Sequence, residues 1–80
     1  MIDRILEIYE DEEFIILDGL NGAIIGICDN RMVLIYSVSK CIELLTESIG
    51  NEFDAMEYFE FNIKGAFLGD KTPIFCIDNL

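Results

Sequence analysis

The sequence contains no histidine and no tryptophan, one proline, and five lysines and arginines against sixteen aspartates and glutamates, giving a formal net charge of −11 over 80 residues. The missing histidine removes the commonest general base near neutral pH and every histidine-ligated metal site. The shortage of cations opposes binding to nucleic acid or to an anionic membrane surface, because both are held through lysine and arginine. Cys28, Cys41 and Cys76 form no CxxC pair and leave an odd count, so neither a disulfide framework nor a zinc site is expected. Each lies in an apolar run, where a free thiol behaves as a small hydrophobe, and a reducing cytoplasm is the expected setting. No apolar run approaches the roughly 18 residues of a membrane span. Asp3, Arg4 and Glu7 interrupt the first turns, so the N-terminal stretch does not read as a secretory signal.

Phosphate-binding motifs are also missing. There is no GxxxxGK[ST] loop and no GxGxxG fingerprint, and Gly19-Leu20-Asn21-Gly22 reads as a turn. Glu10-Asp11-Glu12-Glu13 lacks the alternating ligands and central glycine of a calcium loop. Cys28 is followed by Asp29, and a carboxylate beside a thiol raises its pKa rather than activating it. With no base and no evident pocket for the carboxylates, no catalytic residue, metal or cofactor is expected.

What the chain does have is apolar side chain, 52% of its residues. A domain this small has few interior positions, so part of that surface is expected to face a partner. The runs Phe14–Leu17, Ala23–Cys28 and Met32–Tyr36 are separated by Asp18–Gly22 and Asp29–Arg31, which predicts a three-stranded antiparallel meander. None alternates cleanly with polar residues, so both faces of the sheet are expected to be apolar. Gly26 inside a strand pattern predicts a bulge or a close backbone approach.

Two amphipathic stretches follow. Ser37 is placed to cap a helix from Val38 to about Ser48, whose stripe is Val38, Cys41, Ile42 and Leu45 and whose stop is Gly50. Asn51 is placed to cap a second helix reaching Lys64 or Phe67, with Met56, Phe59, Ile63 and Ala66 on its inner face. Thr72–Ile77 reads as a returning strand, Pro73 belonging at its start or on an edge. Ile2, Ile5, Leu6 and Tyr9 fall at helical spacing, predicting a short N-terminal helix with an extra strand as the alternative. The expected fold is therefore a single α+β domain over residues 1–80: an antiparallel sheet with two helices on one face.

The candidate contact residues are aromatic and acidic. Tyr58 and Phe61 fall outside the inner face of the second helix, beside Glu57 and Glu60. Stacking on bases would need a basic groove, so these aromatics are expected at a subunit or partner contact. The run Glu10, Asp11, Glu12 and Glu13 wants water and completes the candidate partner-binding set. Carboxylates spaced like phosphates would imitate a nucleic acid and occupy a basic groove; solubility through self-repulsion is the plainer reading of the charge.

Several stretches carry a resemblance: Asp18-Gly19 with Ala23–Gly26, Tyr36–Val38 with Lys40–Glu43, Glu57–Asn62, Gly65-Ala66, and Gly69 with Lys71–Phe75. Together they resemble a group of small uncharacterised proteins encoded by bacteriophages and prophages. The likeness runs from Asp18 to Phe75, with Glu57–Phe75 its most specific part. It implies a phage-type product acting in a bacterial host cytoplasm, and it carries no functional residue with it. Small phage proteins often act by binding, which is analogy at the level of the group. The expectation is a non-enzymatic, acidic homo-oligomer, a homodimer or larger symmetric assembly, that binds and inhibits a bacterial host or anti-phage defence protein, with no direct nucleic acid or membrane contact. Two alternatives are a sponge that holds a small nucleotide signal where Arg31, Lys40, Lys64 or Lys71 converge, and a minor structural component of a phage particle.

Overall fold

A computed structural model of the chain describes residues 1–66 and 68–79. The fold is α+β. Helix α1 spans Ile2–Ile8; strands β1 (Ile24–Cys28) and β2 (Val33–Ser37) form a hairpin; helices α2 (Val38–Ile49) and α3 (Glu52–Tyr58) follow; and β3 (Ile74–Cys76) returns to the sheet. A 3-10 turn, Asn21–Ala23, leads into β1, and a π-helical segment, Phe59–Lys64, continues α3. No helix among the described residues is long and apolar enough to cross a membrane.

The strand order is β1-β2-β3, with β1 and β2 antiparallel and β2 and β3 parallel. This corrects the expected sheet twice. Phe14–Leu17 is not a strand. Its Leu17 N–H donates to the Tyr36 hydroxyl at 2.9 Å, and Phe14 meets Tyr9 edge to face with centroids 6.5 Å apart. Side chains therefore hold this segment against the core, and it adds no ladder to an edge. The last strand is parallel because the α2–α3 pair carries the chain back to the start of the sheet before it re-enters, as parallel neighbours require. Strand β2 also begins one residue later than the spacing predicts. Met32 has φ 51°, in the left-handed region, and its N–H donates to the Cys28 carbonyl at 2.7 Å. It closes the hairpin turn.

Local chemistry sets the remaining boundaries. The register slips between Ile24 and Gly26, which is the bulge that Gly26 predicts. Ser37 ends β2 and caps α2 with no intervening loop: its Oγ accepts from the Lys40 N–H at 3.3 Å and donates to Asp78 Oδ1 at 2.7 Å. Gly50 stops α2 at φ 111°. Pro73 is buried immediately before β3, where its missing N–H costs no ladder bond. The possible end of the second helix at Phe67, and Leu80 of the tail, lie outside the described residues.

Pairing assigns the sheet residues to two faces. Ile24, Ile27, Leu34, Tyr36 and Phe75 share one, and all belong to or pack on the core cluster, together with Ile5 of α1, Cys41 of α2 and Phe59. Tyr36, Phe75 and Phe59 form a continuous aromatic contact, with centroids 5.9 and 5.4 Å apart. The other face carries Gly26, Cys28, Val33, Ile35, Ile74 and Cys76, with Ser37 at its end. Both faces are apolar, as the unalternating strands predict.

Candidate interaction surface

Helix α3 and the π segment begin at a reciprocal cap. Asn51 Oδ1 accepts from the Asp54 N–H at 2.8 Å, while Asn51 Nδ2 donates to Asp54 Oδ2 at 2.7 Å. Glu52 and Asp54 then lie in the first turn, where the helix dipole favours negative charge. Ala55 and Phe59 are buried and Ile63 is half-buried. These three recur at i, i+4 and i+8 and form the inner stripe. Met56 corrects the sequence reading of that stripe: it is 47% exposed, and Ala55 takes the inward place. An alanine there lets α3 approach α2 closely, while the longer methionine turns to the flank.

The outward side is unusual for a helix that ends in solvent. Phe53 is 71% exposed and Phe61 81% exposed, and Tyr58 is also exposed. At about 100° per residue, Phe53, Glu57 and Phe61 fall on one ridge opposite Phe59, with Glu60 beside it. The wider turn of the π segment swings Phe61 back toward Glu57. The stretch Glu52–Lys64 carries four carboxylates and one lysine. That lysine, Lys64, lies 3.6 Å from Glu60 in an exposed i,i+4 pair, which holds neither side chain firmly. The result is an aromatic ridge set among carboxylates.

Of the predicted contact residues, Tyr58, Phe61, Glu57 and Glu60 are thus together on one helix and exposed. The acidic run belongs to a different element. Glu10, Asp11 and Glu13 are exposed in the connector after α1. Glu12 is half-buried and engaged: its Oε2 lies 2.9 Å from Lys71 Nζ, which also donates to the Met32 carbonyl at 2.9 Å and stands 5.8 Å from the centre of the Phe14 ring. Glu12 therefore ties the connector to the segment before β3 and to the hairpin turn. Phe53 is the residue that sequence reading missed. Its signal was available: it stands six positions before Phe59, which places it about 120° away from the inner stripe.

Of the four cations named for a nucleotide site, Arg31 and Lys71 both stand at the hairpin turn, where Lys71 reaches the Met32 carbonyl, while Lys40 and Lys64 lie on α2 and the π segment. Lys71 is bound to Glu12, Lys64 is paired with Glu60, and Arg31 is exposed in the hairpin turn. Of these cations only Lys40 lines a groove of about 950 Å³, together with Glu43, Glu47, Glu52, Ile42 and Met56. The smaller groove, about 560 Å³, is lined by Leu17, Leu45, Tyr58 and Ile63 and holds no lysine or arginine. Among the described residues no three cysteine, aspartate or glutamate side chains are placed to share a metal ion. All three thiols are free. Cys41 is fully buried, and burial pushes its thiol up to about 11. No protein-family model, no curated protein and no solved structure matches the chain.

Proposed function

We propose that the protein acts without catalysis, as an acidic homodimer whose α3 ridge docks on a basic protein surface and blocks it. The observation that carries this reading is the pairing of Phe53 and Phe61, both mostly exposed, with Glu57 and Glu60 on one helical face. Exposed aromatics of this size mark contact sites when they cluster. The flanking carboxylates exclude an acidic partner and favour lysine and arginine, whose side chains also stack on phenyl rings. A helix presenting residues at i, i+4 and i+8 suits a groove on the partner. The phage resemblance suggests that the partner is a bacterial host or anti-phage defence protein and that the site of action is the host cytoplasm. Inhibition follows from occupying a surface that the partner uses for an anionic ligand.

The test is capture from a bacterial host lysate with tagged wild-type protein and with a Phe53→Ser/Phe61→Ser variant, followed by mass spectrometry. The expected result is one basic protein retained by the wild type, released by salt and absent with the variant. Repeated recovery of no specific partner, or equal recovery with the variant, would refute the proposal.

A further inference from the structure

We infer that the groove lined by α2 and the start of α3 takes a basic peptide segment of a partner protein, one with lysine or arginine on either side of an apolar side chain. The groove adjoins the ridge of Phe53 and Phe61, and the inference stands whether or not that ridge docks. Its volume is about 950 Å³, and its lining joins three carboxylates, Glu43, Glu47 and Glu52, to the apolar side chains of Ile42, Met56 and Ile77. Met56 is 47% exposed and Ile77 62% exposed, so two large apolar side chains stand open to water beside the acids. Glu43 and Glu47 are four residues apart on α2, as Glu52 and Met56 are on α3, so each pair shares one side of its helix. The α2 lining runs from Val38 to Glu47, about 14 Å of helix. That length takes about four residues of extended chain or roughly two helical turns.

Charge selects the occupant. The two ion pairs among the described residues use Glu12 and Glu60, so Glu43, Glu47 and Glu52 have no cationic partner there. Lys40 is the one cation in the lining against these three carboxylates. An anionic occupant, whether a nucleotide, a nucleic acid or a second copy with its own −11, would meet that charge at close range. Among the described residues the acids are not placed to share a metal ion. A small polyamine would answer the carboxylates and leave Met56 and Ile77 in water. A peptide with cations around an apolar residue answers both. Glu43 and Glu47 are offset by about 6 Å along α2, which matches cations at i and i+4 of a helix or at i and i+2 of a strand. The methylene stems of lysine and arginine add cover for the apolar side chains.

The test starts with a random library of short peptides selected on the full chain carrying Phe53→Ser/Phe61→Ser, so that the ridge cannot supply the binding. The recovered peptides should concentrate lysine or arginine around an apolar residue. Fluorescence anisotropy with a labelled synthetic copy should then give the same affinity for wild type and for Phe53→Ser/Phe61→Ser, which separates failure of this inference from failure of the proposed function. Glu43→Gln/Glu47→Gln should lower the affinity at least ~10-fold, as loss of two charge contacts implies, and Met56→Gln about 5-fold. Lys40→Gln should raise it about 3-fold, because a like charge leaves the site. All four replaced side chains are exposed, so these variants should keep the wild-type circular dichroism. Added salt should weaken binding, and amide NMR shifts on titration should move over residues 38–47 and 52–56. Recovery of no peptide, or of acidic ones, would overturn the inference. So would wild-type affinity in the folded glutamine variants of Glu43 and Glu47, shifts confined to other residues, or spermine binding as tightly as the peptide.

Discussion

Removing the Ser37 hydroxyl should be among the most damaging one-atom changes in the chain. Ser37 is fully buried at the junction of β2 and α2. Its Oγ accepts from the Lys40 N–H at 3.3 Å, donates to Asp78 Oδ1 at 2.7 Å and lies 3.2 Å from Ser39 Oγ. Ser37→Ala therefore strips α2 of its cap, at about 1 kcal/mol. It also breaks a charge-assisted bond to a carboxylate, worth about 1.5 kcal/mol at the low end because Asp78 is exposed and regains water. The expected loss is about 2.5 kcal/mol, or roughly 10–20 °C in Tm for a domain of this size. Asp78→Ala should cost about half as much, since Ser37 keeps the cap and the Ser39 hydroxyl. The double variant should resemble Ser37→Ala, because both changes remove one shared bond. Urea denaturation followed by circular dichroism gives all four values. A Ser37→Ala loss below about 0.5 kcal/mol, or full additivity of the two changes, would refute the role assigned to the hydroxyl.

Three further outcomes are expected. Phe59→Ala should cost about 3–5 kcal/mol by opening the centre of the aromatic contact, whereas Phe53→Ser/Phe61→Ser should stay within about 0.5 kcal/mol of the wild type in the same denaturation assay. Tyr36→Phe should cost about 1–2 kcal/mol, because the Leu17 N–H loses its acceptor, and the Leu17 amide should exchange faster with deuterium. Stability should fall as pH rises: burial holds the Cys41 thiol at about 11, above an ordinary value of 9.0. The unfolded chain releases that proton first, so the contribution is complete below pH 9 and is lost by pH 11, up to about 3 kcal/mol. Tyr36, also raised by burial, acts in the same direction. A Cys41→Ala variant with an unchanged slope in urea titrations across this range would assign the effect elsewhere.

The parts of the fold that were legible in the sequence are those decided within a few residues. Ser37, Gly50 and Asn51 fix the ends of α2 and the start of α3 through bonds to neighbours, so their types announce them. Gly26 announced its bulge in the same way. Phe14–Leu17 was not legible, because whether an apolar tetrapeptide pairs depends on what lies beside it. Here the Leu17 amide is taken by a hydroxyl 19 residues away. The direction of β3 depends on the crossover rather than on its own residues. In the contact surface, Tyr58, Phe61, Glu57 and Glu60 could be placed by rotation about a helix. Glu12 could not be separated from its acidic neighbours, because the lysine that binds it is 59 residues distant.

The most direct measurement of the central claim is a binding isotherm between the captured basic protein and this chain, wild type against Phe53→Ser/Phe61→Ser, at two salt concentrations. The α3 ridge as the contact surface predicts an affinity at least ~100-fold lower for the variant, as loss of two aromatic anchors implies. It also predicts a wild-type affinity that falls as salt rises. Equal affinities for the two proteins, or an affinity indifferent to salt, would place the contact elsewhere on the molecule.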